Sequence, residues 1–276
     1  MVEIGQFNSL KVTKRKSFGV YLDGDDLGEI LMPSKWVPNN IEIGDSLSAF
    51  VYLDSEDQLI ATTQRPKAQV GQFASLKCTA VTHVGAFLNW GLDKDLLVPF
   101  NQQKKPLEVG RFYVVYLYLD DSNRIAASCK IDRYLDNEAP HYRHGEAVEL
   151  LIAGRSDLGY KVIINHQHWG VVYYNNVFKE LKPGMRMPGF IQKVRPQGGI
   201  DVSINPPVHQ QADQLSAQII HYLEQQPRGF APLHDKSDPD TIKRTFGVSK
   251  AVFKRAIGGL FKSGQITILT NGIELK

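Results

Sequence analysis

Ile4-Gly5-Gln6-Phe7 returns 66 residues later as Val70-Gly71-Gln72-Phe73, and the rest of the chain is organised around that spacing. The same shift lays Gly19 on Gly85, Gly44 on Gly110, and Tyr52-Leu53-Asp54 on Tyr118-Leu119-Asp120. It also lays Asp57-Gln58-Leu59-Ile60-Ala61-Thr62 on Asn123-Arg124-Ile125-Ala126-Ala127-Ser128. A shift held through successive landmarks marks an internal repeat. A more divergent third copy follows at a spacing of 74, mapping Gly71 to Gly145, Gly85 to Gly159 and Gly110 to Gly184. It ends in Gly199-Ile200-Asp201-Val202-Ser203, with one extra residue.

Each copy reads as short strands. In the first they are expected at Leu10 to Thr13, Phe18 to Leu22, Glu29 to Met32, Leu47 to Leu53 and Leu59 to Thr63. Period-2 alternation and β-branched or aromatic content support them, and Gly-Asp, Asp-Ser-Glu-Asp and Pro-Asn-Asn clusters separate them. Five strands in about 65 residues is the count of a small Greek-key barrel, the OB fold, whose closure removes exposed sheet edges. The polar stretch from Asp132 to His144, with Pro140, reads as a short helix or loop between the second and third copies.

After Asn205-Pro206-Pro207 the period turns helical. Gln214 to Gln225 places Leu215, Ile219, Ile220 and Leu223 on one stripe, closed by Pro227-Arg228-Gly229. A second helix runs from Pro239 to Phe246 with Asp238 as its cap. Ser249 caps a third, which ends at Lys262-Ser263-Gly264. Two β-runs follow, joined by Asn271-Gly272, the dipeptide of a type I′ hairpin. Helix, helix, turn, helix, hairpin is the order of a winged helix. The expected fold is therefore mainly β: three tandem five-stranded OB barrels over residues 1–66, 67–136 and 141–206, then a small α+β winged helix over 210–276.

The strand pattern resembles the RNA-binding OB domain of ribosomal protein S-one. The residues that carry this are Ser17-Phe18-Gly19-Val20-Tyr21-Leu22, Glu29-Ile30-Leu31-Met32-Pro33-Ser34, Ile43-Gly44-Asp45, Val51-Tyr52-Leu53-Asp54 and Leu59-Ile60-Ala61-Thr62. Val84-Gly85-Ala86-Phe87-Leu88 stands in the equivalent place of the second copy. Three such domains before a winged helix resemble the conserved virulence factor B family of bacterial RNA-binding regulators, and Phe246 to Gly258 is the most family-like stretch. The resemblance implies a cytoplasmic RNA-binding protein, a post-transcriptional regulator acting on single-stranded RNA such as mRNA, with no catalysis and no cofactor.

It also implies site residues. The family's two stacking aromatics fall on Phe18 and Tyr21. Residues three apart on a strand face opposite ways, and Gly19 is expected to host the bulge that brings both to one face. Phe87 keeps one of these positions in the second copy, where Val84 replaces the other. In the third copy Leu158 and Lys161 replace both, and Trp169, Tyr173 and Tyr174 offer either a different platform or barrel packing. The family's strand-three histidine falls on Met32, Val98 and Tyr173, which removes a polar contact from the first two copies. Asp54 and Asp120 match its aspartate, and Arg124 its basic partner, where the first copy has Gln58. Beside Phe18, Lys11, Lys14, Arg15 and Lys16 are either phosphate contacts or solubilising charges.

On the third helix Lys250, Lys254, Arg255 and Lys262 can form a basic face for nucleic acid, while Phe253, Ile257, Leu260 and Phe261 pack inward. The helix lacks a row of Asn, Gln and Arg suited to base edges, so the winged helix can serve RNA, DNA or protein. A DNA-binding transcription regulator led by this domain is the alternative reading.

Composition bounds these readings. The chain has 276 residues, 42% hydrophobic and 22% charged, as in an ordinary soluble protein. Its net charge of +3 permits a polyanionic partner without demanding one. Segment by segment the net charge is −4 over 1–66, +1 over 67–140, and +3 over each of 141–212 and 213–276. No apolar run approaches the ~18 residues of a membrane span. The opening Met1-Val2-Glu3-Ile4-Gly5 is expected to enter a strand directly rather than a signal peptide. Cys78 and Cys129 make no disulfide framework or CxxC site and read as small strand residues. His166 and His168 have strand spacing that could turn both to one side, but no further metal ligand lies near them in sequence. Acidic pairs such as Asp25-Asp26 and Asp120-Asp121 sit in turn-like contexts, and no P-loop, dinucleotide fingerprint or GxSxG occurs.

Overall fold

The computed structural model describes residues 1–136, 141–177, 180–196 and 198–276; Pro140 of the expected linker lies outside them. The first barrel comprises β1 (Phe7–Lys16), β2 (Gly19–Asp23), β3 (Glu29–Pro33), β4 (Ser46–Leu53) and β5 (Leu59–Thr62). They close in the order β1-β2-β3-β5-β4, antiparallel except where Leu31 meets Ile60 between β3 and β5. The second repeats this order with β6 (Phe73–Val81), β7 (Gly85–Asn89), β8 (Leu96–Pro99), β9 (Phe112–Leu119) and β10 (Ile125–Ser128). The third does so with β11 (Ala147–Arg155), β12 (Gly159–Ile164), β13 (His168–Tyr173), β14 (Arg186–Val194) and β15 (Ile200–Ser203).

Two local devices recur in all three copies. The register slips between Val12 and Lys14, between Cys78 and Ala80, and between Ile152 and Gly154, so Thr13, Thr79 and Ala153 are bulged. The Thr13 and Thr79 hydroxyls donate to the Tyr21 and Phe87 carbonyls. Extra twist at these points lets so few strands close. Across the ladder, a Cβ on Gly19, Gly85 or Gly159 would sit 2.2, 2.4 or 2.3 Å from the carbonyl of Met32, Val98 or Val172. Only glycine permits that approach, which is why these glycines set the repeat. The expected bulge at Gly19 is thus corrected: the slip lies in the facing strand, and Gly19 is a close-contact site.

Alternating positions fill each interior. Leu10, Val12, Val20, Leu22, Ile30, Met32, Ala49 and Val51 form the first core. Each fully buried Leu, Ile or Met contributes roughly 1.5–3 kcal/mol relative to exposure. The barrels also share cores. Phe50, Tyr52 and Ile60 join the second barrel's cluster, with the Phe50 and Trp90 rings 5.7 Å apart. Phe73, Ile131, Leu135, Leu151 and Ile163 tie the second barrel to the third. The stretch after β10 is a 3₁₀ turn at Ile131–Tyr134, and Tyr134 stacks on Tyr116 at 4.0 Å.

The C-terminal unit runs α1 (Val208–Glu224), β16 (Phe230–Ala231), α2 (Pro239–Phe246), α3 (Lys250–Lys262), β17 (Ile266–Leu269) and β18 (Gly272–Leu275). Asp238 and Ser249 accept from Thr241 N and Val252 N, capping α2 and α3 as expected. Gly247, at φ 70°, ends α2 in the left-handed region. α1 starts at Val208 rather than Gln214, because its polar first turns show no stripe although Ala212 is buried. β16 completes a three-stranded sheet, β16-β18-β17, that the pattern did not announce. The hairpin turn is Thr270-Asn271, since Leu269 pairs with Gly272, and neither turn residue has positive φ. Gly272 instead lies where a Cβ would meet the Ala231 carbonyl at 2.3 Å. Phe253, Ile257 and Leu260 are buried as expected, but Phe261 is 52% exposed, a correction to its inward placement. Among the described residues no helix is long and apolar enough to cross a membrane.

Candidate nucleic-acid interface

Phe18 lies in the turn entering β2, so strand alternation does not act on it, and its ring is 53% exposed. Tyr21, half-buried on β2, pairs with Lys14 on one side and Leu31 on the other. The Phe18 and Tyr21 rings meet edge to face with centroids 6.3 Å apart. Lys14 Nζ sits 5.2 Å above the Tyr21 ring and 3.0 Å from Glu29 Oε2. The Arg15 guanidinium donates to the Ile41 carbonyl, and Lys16 is exposed at the end of β1 opposite Gly19. Lys11, Arg15 and Lys16 make no ion pair among the described residues. Two adjacent aromatics with cations around them offer a base a stacking face and its phosphate a counter-charge.

The aspartates are occupied locally. Asp54 Oδ1 accepts from Glu56 N at 2.8 Å and Gln58 N at 3.0 Å, and Asp120 Oδ1 accepts likewise from Ser122 N and Arg124 N. Each shapes its own β-turn, within which Asp57 and Asn123 adopt φ near 60°. Arg124 reaches from the second barrel to Asp57 of the first, and that hydrogen bond holds the Asp57 carboxyl below the usual carboxylate range. Phe87 is half-buried on β7, opposite Ala80 and Leu97, in the register that Tyr21 holds in the first barrel. Val84, the counterpart of Phe18, is 47% exposed.

In the third barrel the same two positions carry Leu158, 63% exposed, and Lys161. Lys161 Nζ lies 4.2 Å over the Trp169 ring, which packs on the seam with the second barrel. Val172, not Tyr173, is the register equivalent of Met32 and Val98, because Tyr160 pairs with Val172 as Val20 does with Met32. The Tyr173 hydroxyl donates to Asp201, which Arg195 also pairs at 3.0 Å; the Tyr174 hydroxyl donates to the Ser156 carbonyl. The three rings considered as one platform thus make three separate contacts, and Tyr174 stays 38% exposed. His166 occupies a turn at φ 58°, and its Nδ1 accepts from Phe73 N; His168 Nδ1 meets the Tyr142 hydroxyl. They do not face a common ligand, and among the described residues no three His, Cys, Asp or Glu are placed to hold a metal. Cys78 is buried on β6, and Cys129, after β10, has its thiol pushed up to about 11 by burial.

On α3, Lys254, Arg255 and Lys262 are exposed and Lys250 half-buried. Lys254, Arg255 and Lys262 border a shallow groove with Ala212, Asp213 and Ser216 of α1. The β17–β18 hairpin carries no Lys or Arg before Lys276. Residues that sequence reasoning passed over are Tyr52, Lys94 and Asp95, which line a cleft between the first two barrels. Tyr52 stood out only as a landmark of the repeat and of its S-one-like strand pattern.

Family models match stretches of the sequence in the same order as these units. Residues 4–64 and 70–130 match the S1 domain, and residues 217–275 the CvfB-like winged helix domain. "Uncharacterized protein YitL" of Bacillus subtilis is 27% identical over 275 residues, covering 95% of this chain and 90% of that protein. "Conserved virulence factor B" of Staphylococcus epidermidis is 29% identical over 253 residues, covering 86% and 82%. A crystal structure of a multidomain protein with nucleic acid binding domains from Streptococcus pneumoniae aligns over 99% of this chain and 98% of that one, with 23% identity and a TM-score of 0.41. The resemblance drawn from the sequence is borne out for the first two barrels and the winged helix.

Proposed function

We propose that this chain, which carries two S1 domains and a CvfB-like winged helix domain and so belongs among nucleic-acid-binding proteins, binds single-stranded RNA on its barrels. The observation that carries the reading is the pair Phe18 and Tyr21, one ring over half exposed, with Lys14 above the other. Unpaired bases can be splayed onto such rings, whereas a duplex keeps its base faces stacked. The winged helix is an accessory surface in this reading, because its hairpin offers no cation to a groove. The name of its relatives, conserved virulence factor B, supports a regulatory role, exerted here on mRNA in the cytoplasm without a catalytic step.

Fluorescence anisotropy of the whole chain with a short unstructured RNA, and with duplex DNA of the same sequence, tests this. The RNA binds more tightly, and its affinity falls with salt by a slope of about −0.7 per phosphate contacted. Tighter binding of duplex DNA would move the function to α3. A salt-independent affinity would contradict phosphate contact altogether.

A further inference from the structure

The seam between the first two barrels holds a cleft of about 340 Å³, lined by Tyr52 and Leu53 from β4 and by Phe87, Trp90, Leu96 and Leu97 of the second barrel. That volume falls at the lower end of the ~300–1,000 Å³ of small-molecule sites. Tyr52 is only 4% exposed, yet its hydroxyl has no hydrogen-bond partner among the described residues. It is not sealed in either, since the one walled-off side-chain oxygen without a partner among the described residues is Gln64 Oε1. The hydroxyl thus keeps some access and a free hydrogen-bonding capacity, on a side chain that lines the cleft. Burial, helped by the Asp93 and Asp54 charges, pushes its pKa up to about 12, so it remains a protonated donor.

The rest of the wall is chemically ordered. Phe87 supplies a ring face in the register of Tyr21. Asp95 keeps one oxygen on Thr79 Oγ1 at 2.7 Å, leaving the other to accept from a ligand. At the rim stand two cations, Lys94, whose Nζ donates to the Asp54 carbonyl at 2.9 Å, and Arg124, held by Asp57. Stacking face, donor, acceptor and rim cations are what one nucleotide presents a need for.

We propose that this cleft receives one unstacked nucleobase of the bound RNA, an inference that rests on the RNA reading above. The base lies against Phe87 and accepts from the Tyr52 hydroxyl, while Asp95 takes a donor from its edge. Its flanking phosphates meet Lys94 and Arg124, with phosphate displacing Asp57. Because a polar group built to pair with a base rejects one that cannot pair, the cleft is a sequence-reading element, whereas exposed Phe18 stacks any base.

The test compares the four homopolymeric RNAs on the whole chain by anisotropy, with wild type, Tyr52→Phe and Leu97→Trp. Wild type ranks one base above the rest. Tyr52→Phe keeps the buried ring and reduces that preference roughly fivefold, the effect of one hydrogen bond. Leu97→Trp fills the cleft and removes the preference while salt-dependent binding persists. Each variant is first shown to melt like the parent. Equal wild-type affinities for all four RNAs, or an unchanged ranking in either variant, overturn the cleft and leave RNA binding standing. Failure of wild type to bind any of the four overturns the RNA reading itself.

Discussion

In the first barrel Gly19 lies against the Met32 carbonyl, with Phe18 just before it and Tyr21 two residues on; in the third, Gly159 lies against Val172, with Leu158 and Lys161 in those places. The frames coincide in strand order, in the bulge facing β2 and β12, and in the parallel closing pair. What stands on them differs. The first barrel leaves Phe18 exposed with Tyr21 half-buried beside it, although its segment is net acidic. The third, in the more basic half, holds Trp169 on the seam and Tyr173 on Asp201 and Arg195, and leaves Tyr174, which stands at neither the Leu158 nor the Lys161 position, 38% exposed. Frame and surface are separable: close backbone contacts fix the barrel, and in the RNA reading proposed above a few outward side chains offer a base its landing place. Since charges beyond a Debye length of ~8 Å are screened, the acidic total of the first segment matters less than Lys14 beside Tyr21.

The largest effect tests the shared frame. Gly19→Ala and Gly159→Ala should each destabilise by roughly 2–3 kcal/mol, because the new methyl overlaps a carbonyl that the ladder holds in place. Urea denaturation should give similar losses for the two. A tolerated alanine in one barrel alone would show that the frames are not equivalent. Trp169→Ala comes next and sharpens the difference between surfaces. Loss of a half-buried ring on the seam should cost about 2 kcal/mol, less than for a fully buried Trp, and leave RNA affinity within twofold of wild type. A collapse of affinity with intact stability would make the third barrel the platform.

The smallest effect concerns the seam at His166, whose Nδ1 accepts from Phe73 N at 2.9 Å while Arg186 and Glu149 lie at its other nitrogen. Burial, then the Arg186 charge, lowers its pKa below the ordinary value near 6.5. The neutral ring is the one that fits, so its contribution is whole above the unfolded pKa and is lost as pH falls through the lower folded value. The His166 ring stacks on Phe73 with centroids 6.2 Å apart, and against His166→Phe, which keeps that stack, wild type should be more stable by about 1 kcal/mol at pH 8. The gap should close on acidification. A gap independent of pH would mean that the hydrogen bond contributes nothing.

The comparison also explains what the sequence made legible. Repeated glycines and alternation exposed the barrels because they report contacts within one copy, and Asp238, Ser249 and Gly247 marked the helix ends for the same local reason. Neighbouring strands and barrels hid the rest. The bulge at Thr13 is a property of the strand facing Gly19. Trp169 was ambiguous because only the second barrel's seam decides which way it packs. Gly272 looked like a turn residue until β16 was placed beside it. Arg124 and Tyr52 gained their meaning from a barrel 66 residues away in register.

The measurement that bears most directly on the account is the affinity of the Phe18→Ala/Tyr21→Ala double variant for a short unstructured RNA, beside Phe87→Ala, all at one salt concentration. Stacking contributes roughly 1–3 kcal/mol per base, so the double variant should bind tens-fold or more weakly and Phe87→Ala by about the worth of one base. An unchanged affinity in the double variant, with its melting curve intact, would contradict the claim that the first barrel's Phe18–Tyr21 pair holds the RNA.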